Sequence, residues 1–84
     1  MNLYWVTEEG AEWVVFVFAQ TRNKARSMLH ADDKGVEYIT TRARLIGKTE
    51  EVKQETLVDT ERHPLYWIVK KLGWTFTDLE GDEI

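Results

Sequence analysis

The sequence predicts an α+β fold: a small antiparallel sheet of three or four strands with two helices, in the order β-β-α-β-α. Three observations carry that expectation. The run EWVVFVFA, residues 12–19, is apolar at every position after its Glu and rich in β-branched and aromatic residues, so it reads as a strand with both faces covered. Two other stretches, one around Ala25, Met28 and Leu29 and one around Leu65, Ile68, Val69 and Leu72, repeat apolar residues at helical spacing. Between them VEYITTRARLI, residues 36–46, alternates with period two.

Taken in order, LYWVT and EWVVFVFA form a β-hairpin through TEEGAE, whose Gly10 suits the loop. In the second strand Trp13, Val15 and Val17 point one way and Val14, Phe16 and Phe18 the other. Thr21 caps a helix that begins at Arg22 and packs on Ala25, Met28 and Leu29. Its end falls near DDKG, where Gly35 suits the left-handed residue after a last turn. A right-handed crossover then lays the third strand in the same sheet, with Ile39, Thr41, Ala43 and Leu45 on one face and Tyr38, Thr40, Arg42, Arg44 and Ile46 on the other. KTEEVKQE offers little to a core and reads as a loop, and TLVDT as a short edge strand. In HPLYWIVKKLGW, Pro64 suits a first helical position and Gly73 the stop. Either one helix covers each face of the sheet or both share one. Residues 77–84, TDLEGDEI, are acidic and expected to fray.

A chain of 84 residues has room for one domain, residues 1–84, and a single small core. Four Trp, three Tyr and three Phe supply the apolar area such a core requires. The absence of cysteine excludes disulfides, a thiolate zinc site and a cysteine nucleophile, and suits a reducing compartment. The opening MNLYWVTEEG lacks the basic and apolar regions of a signal peptide, and WVVFVFA is too short to span a bilayer, so the expected location is cytoplasmic, without membrane contact.

The formal net charge of -4 is unevenly distributed: -3 over residues 1–19, +4 over residues 20–48 and -5 over residues 49–84. The basic middle is therefore the first candidate surface. Arg22 and Arg26 lie one turn apart on the helix, away from Met28 and Leu29, with Lys24 further around. Arg42 and Arg44 share a strand face with Tyr38, an aromatic and basic mixture of the sort that stacks bases on sheet surfaces. If the helix packs on the Ile39 and Leu45 face, these two arginines point to the opposite side of the sheet, and the clusters do not form one patch. Both also read as solvated faces partly neutralised by Glu8, Glu9, Glu50 and the acidic end.

The other candidates are sparse. His30 and His63 are the only imidazoles, and neither stands in a catalytic motif. His30 with Asp32 and Asp33 has metal-ligand chemistry, but a lone imidazole beside a helix-ending acidic pair reads as polar surface, so no cofactor or metal is expected. Glu50, Glu51 and Glu55 read as a solvated run. Tyr66 and Trp67 fall beside the apolar stripe of the second helix; they are expected to close over the sheet edge, the alternative being exposed interface anchors.

The run WVVFVFAQTRNKARS, followed by EYITTRARLIGK, resembles a group of small, mostly uncharacterised proteins of bacteriophages and prophages. These share a strand, a helix opening with an RNKAR-like run, and a strand with an R-x-R pair; the resemblance covers roughly residues 12–48. Some members end in cysteine-rich segments suggestive of metal, and this chain has no cysteine, so no metal function carries over. The resemblance implies a viral origin more than a chemistry. With the acidity and small size, it leads to the expectation of a non-enzymatic protein–protein interaction module, monomeric or weakly dimeric, that binds a host or viral protein. An inhibitor of a nucleic-acid-handling machine is one such protein, its Asp78, Glu80, Asp82 and Glu83 standing in for phosphates. The alternative is a nucleic-acid-binding accessory protein. The residues expected at a partner are Arg22, Lys24, Arg26, Tyr38, Arg42, Arg44 and Trp67.

Overall fold

Val15–Ala19 has no exposed residue, so both faces of this strand must be covered. In the computed structural model, which describes residues 1–32 and 35–76, the chain runs β1 (Asn2–Glu8), β2 (Val15–Ala19), α1 (Arg22–Asp32), a single 3-10 turn (Tyr38–Thr40), β3 (Thr41–Lys48), β4 (Thr56–Val58) and α2 (Tyr66–Lys71). The four strands form one sheet in the order β3-β1-β2-β4, and every neighbouring pair is antiparallel. The architecture is thus α+β, with the elements in the order β-β-α-β-β-α.

Pairing sorts the side chains. Tyr4 lies opposite Val17 and Trp5 opposite Phe16. One face carries Tyr4, Val6, Val15, Val17 and Ala19, which pack with Ala25 and Leu29 of α1. The other carries Leu3, Phe16 and Phe18, which pack with Val58 and with Tyr66, Ile68 and Val69 of α2. Each face therefore has its own helix. Because β2 and β3 are both antiparallel to β1, they run parallel to each other, and α1 makes the long connection over β1 that parallel strands require.

Local chemistry places the helix ends. Thr21 Oγ1 accepts the Lys24 amide at 3.1 Å, satisfying one of the free donors of the first turn as the sequence predicts. Gly73 adopts a φ of 97° just past α2, a conformation a side chain would resist, and its amide bonds the Lys70 carbonyl at 2.9 Å. α1 ends at Asp32, within the DDKG stretch as expected, while residues 33–34 and the expected fraying of residues 77–84 lie outside the described residues.

Several expectations are corrected. Trp13 stands outside β2, on the hairpin connection, where its carbonyl accepts the Thr7 hydroxyl. The third strand begins at Thr41, not Val36, because residues 38–40 close a 3-10 turn. The alternation holds from Thr41 to Ile46 and breaks just beyond: Leu45 pairs with Tyr4 and Gly47 with Leu3, leaving Ile46 as the extra residue of a β-bulge. Ile46 packs on the α2 core, on the face of Arg42 and Arg44 as the alternation predicts, and the bulge brings Gly47 to that same face against Leu72, where an added Cβ would meet Leu72 Cδ1 at 3.3 Å.

Val52, in the segment expected to offer little to a core, is buried in the α2 core. α2 starts at Tyr66 rather than Pro64. The turns before it are held instead by the Leu65 amide on His63 Nδ1, 3.0 Å, and the Tyr66 amide on the His63 carbonyl, 3.0 Å.

Six residues of helix are too few to cover a sheet face, and the chain beyond α2 supplies the remainder. Phe76 sets its ring edge on Phe16, centroids 4.9 Å apart, and stacks on Tyr66 at 5.3 Å. The Tyr66 hydroxyl accepts the Phe76 amide at 3.1 Å.

Replacing Phe16, fully buried between β1, β4 and Phe76, with Ala should lower unfolding free energy by about 3–5 kcal/mol in a urea titration. Thr21→Ala should lower it by about 1 kcal/mol, the usual loss for an N-cap, with no change in the spectrum of the folded protein.

Candidate functional site

The basic middle of the chain does not converge on one surface. Arg26, expected on the solvent side of α1, reaches across to the start of β3: Nε donates to Thr41 Oγ1 at 2.8 Å and a terminal nitrogen donates to the Tyr38 carbonyl at 2.9 Å. The Thr41 hydroxyl donates to the same carbonyl at 2.7 Å, and the guanidinium lies over the Tyr38 ring, 4.4 Å from its centroid. Thr41 is buried, so this network is shielded from water and ties helix, turn and strand together. Arg26 and Tyr38 thus engage each other.

The remaining cations are spread over different parts of the fold. Lys24 pairs loosely with Glu55 at 3.7 Å, beside the Gln20 amide that Glu55 also accepts. Arg22 is exposed and has no side-chain hydrogen bond or ion pair among the described residues. Arg42 pairs with Glu9 across the β1–β3 edge at 2.9 Å. Arg44 lies over two indoles, 5.6 Å from the centroid of Trp5 and 5.9 Å from that of Trp74. Arg42 and Arg44 project from the sheet face opposite α1, as the alternation predicts, so they stand apart from Arg22 and Lys24. Exposed pairs such as Arg42 with Glu9 contribute about 0.2–1 kcal/mol each and yield readily to a competing partner.

Apolar exposure is the second feature. Trp67, expected to close over the sheet edge, is corrected: it is 53% exposed, with the Lys71 ammonium 5.8 Å from its ring centroid. The physical reason is phase, since Tyr66, Ile68 and Val69 of so short a helix take the inward positions and leave Trp67 pointing out. Tyr66 is buried as expected. Ile39 is 76% exposed on the 3-10 turn and Leu45 52% exposed on β3, while Trp13 is exposed on the hairpin connection.

The two histidines serve as backbone ties. His30 Nδ1 donates to the Val36 carbonyl at 2.6 Å, holding the end of α1 to the segment before the turn. His63 Nδ1 accepts the Leu65 amide. Among the described residues no group of three or more His, Cys, Asp or Glu is placed to hold a metal ion, and no helix is long and apolar enough to cross a membrane.

Sequence reasoning misses the exposure of Leu45 and the half-buried cluster at Trp5 and Trp74. Leu45 was assigned a face but not an exposure, because its burial depends on how far α1 extends over the edge strand. The cluster of Arg44 with the indoles of Trp5 and Trp74 arises only when the chain after Gly73 folds back, and no local pattern signals that return. Trp5 Nε1 is buried there and has no hydrogen-bond partner among the described residues.

The fold and surface define a small α+β domain with dispersed cations and scattered apolar side chains. Compared with protein-family models, curated proteins and solved structures, the chain matches none.

Arg26→Ala should cost about 1–3 kcal/mol, because it removes two hydrogen bonds from a charged donor and the ring contact that tie α1 to the turn and the start of β3. Arg26→Lys should recover less than half of that loss, since an ammonium cannot reproduce the two-nitrogen fork. Thermal melts of the two variants beside the unaltered protein measure both.

Proposed function

We propose that this chain is a non-enzymatic protein–protein interaction module of phage or prophage origin. It acts in the host cytoplasm on a host or viral protein, with a nucleic-acid-handling machine such as a defence nuclease as the target class. The observation that carries the reading is the division of labour on the surface. Gripping a phosphate backbone requires several cations converging on one track. Here Arg26 is turned inward, Arg42 and Lys24 are matched to carboxylates, and Arg22 stands apart from Arg44. By contrast, Trp67, Leu45, Ile39 and Trp13 offer large apolar side chains to a partner, and Trp is among the residues enriched at binding hot spots. Binding rather than catalysis is supported by the use of both imidazoles as backbone ties. The viral origin rests on the RNKAR run and the R-x-R pair alone.

One observation favours the rival reading, a nucleic-acid-binding accessory protein: Arg44 beside Trp5 and Trp74 has the chemistry of a stacking platform. The two readings separate cleanly. Arg42→Glu with Arg44→Glu should leave duplex DNA and single-stranded RNA binding as weak as in the unaltered protein. A phosphate-gripping site would instead show salt-sensitive binding whose slope of log affinity against log salt falls by roughly 1.4 to 1.8 in the double variant. Affinity capture from infected cells, with and without nuclease, completes the comparison. Protein partners that survive nuclease support the module, and loss of all captured material supports the rival.

Trp67→Ala should change folding stability by no more than about 0.5 kcal/mol, as befits an exposed site. If Trp67 anchors the partner, the same change weakens capture by more than about ten-fold. Melting temperature and binding measured on one preparation check both outcomes.

A further inference from the structure

We infer that the outer edge of β3 is a docking strand for an extended acidic segment of another protein, which adds to the sheet as a fifth strand. This deepens the protein-binding reading and rests on it.

Backbone phase carries the inference first. The Glu9 amide donates to the Thr40 carbonyl at 2.8 Å, and the register places Glu9 and Thr40 directly opposite, continuing the pairs Glu8 with Thr41 and Thr7 with Arg42. In an antiparallel ladder, directly opposed pairs alternate between those that exchange hydrogen bonds and those that do not. Arg42 and Arg44 therefore direct their amides and carbonyls at β1, while Thr41, Ala43 and Leu45 turn theirs away from the sheet. The Thr41 amide donates to the Tyr38 carbonyl, and the Thr41 carbonyl is met by the side chain of Arg42 at 3.2 Å. No other described segment bonds to the outward groups of Ala43 and Leu45, and β3 ends the sheet. The opposite edge, β4, offers only Thr56–Val58.

Charge then selects the occupant. β3 carries Arg42, Arg44 and Lys48 and no carboxylate. A second copy pairing antiparallel along this edge would bring the arginines of both copies onto one face, and like charges across a strand pair are destabilising. An incoming strand with carboxylates at alternate positions would set them beside Arg42 and Arg44, where Glu9 already demonstrates the pairing. Its intervening residues would lie on the other face, beside Ala43 and the exposed Leu45, and should be apolar. The bulge at Ile46 ends the regular edge and Thr41 is already bonded, so the docked stretch pairs with the outward groups of Ala43 and Leu45.

The test uses a capped peptide of roughly eight residues alternating Glu and Val, matched against one alternating Lys and Val, and the isotopically labelled full chain. Amide chemical shifts are read by NMR. The expected result is saturable shifts centred on Ala43 and Leu45 with the Glu peptide and none with the Lys peptide. Arg44→Glu should weaken binding by about ten-fold. Leu45→Pro removes an outward amide without touching the β1 ladder and should abolish binding at near-unchanged melting temperature.

Binding that survives Leu45→Pro, or shifts centred on Trp67 or β4, would overturn the docking strand while leaving the protein-binding reading intact. So would absence of peptide binding in a preparation that still captures its nuclease-resistant partner. Self-association removed by Leu45→Pro would assign the edge to a second copy and overturn the proposed occupant. Should polyuridylate produce the Ala43 and Leu45 shifts and the peptide none, both this inference and the protein-binding reading fall. The shifts in the unaltered chain decide the matter even if the proline variant does not fold.

Discussion

Burial of β2 on both faces is the constraint from which the rest of the structure follows. A strand with Phe16 and Phe18 on one side and Val15, Val17 and Ala19 on the other is unstable unless something packs on each side. The chain answers unequally. α1 is eleven residues long and covers the first face with a narrow stripe of small and aliphatic residues. α2 is six residues long, and the second face holds the larger aromatic load, so Val52, Trp74 and Phe76 are drawn in from the flanking loops to complete it. A core of this size leaves little reserve, which is why one aromatic contact such as Phe16 on Phe76 matters to the whole domain.

The same packing disperses the positive charge. Once α1 crosses over β1 to reach β3, Arg26 lies beside the carbonyl that the 3-10 turn presents, and a planar guanidinium is well matched to a carbonyl, a hydroxyl and a ring together. That arrangement converts a residue of the basic stretch into an internal brace. Arg42 and Arg44 are sent to the other side of the sheet by the alternation of β3, where they meet a carboxylate and two indoles. A stretch that is +4 in sequence is therefore not a basic patch in space.

Edge management links the fold to its proposed role. Both outer strands of an open sheet invite pairing, and the two are guarded differently. β4 is short enough to offer little. β3 is long, basic and bulged, which discourages self-pairing yet leaves the outward groups of Ala43 and the exposed Leu45 for an acidic strand. Binding by strand addition draws most of its affinity from backbone hydrogen bonds and its choice of partner from flanking side chains, so an open sheet edge gives a small domain a route to specificity.

The sequence by itself determined the elements and their inward faces. The alternation of WVVFVFA, the spacing of Ala25, Met28 and Leu29, the cap at Thr21 and the stop at Gly73 are local regularities, and backbone geometry converts them directly into strand, helix and terminus. A period of two also made it legible that Arg42 and Arg44 share a face, and the packing of α1 on the other face places them opposite it. What only the tertiary structure decided were matters of relative position. The bulge at Ile46 comes from the pairing with β1; the exposure of Trp67 comes from the truncated length of α2; the burial of Val52 comes from a loop crossing a sheet face; and Arg26 and the Arg44 cluster depend on segments distant in sequence. Local propensity constrains a residue's own backbone and face, but which atoms meet it across space is set by how layers dock, and that energy resides in contacts no short window of sequence contains.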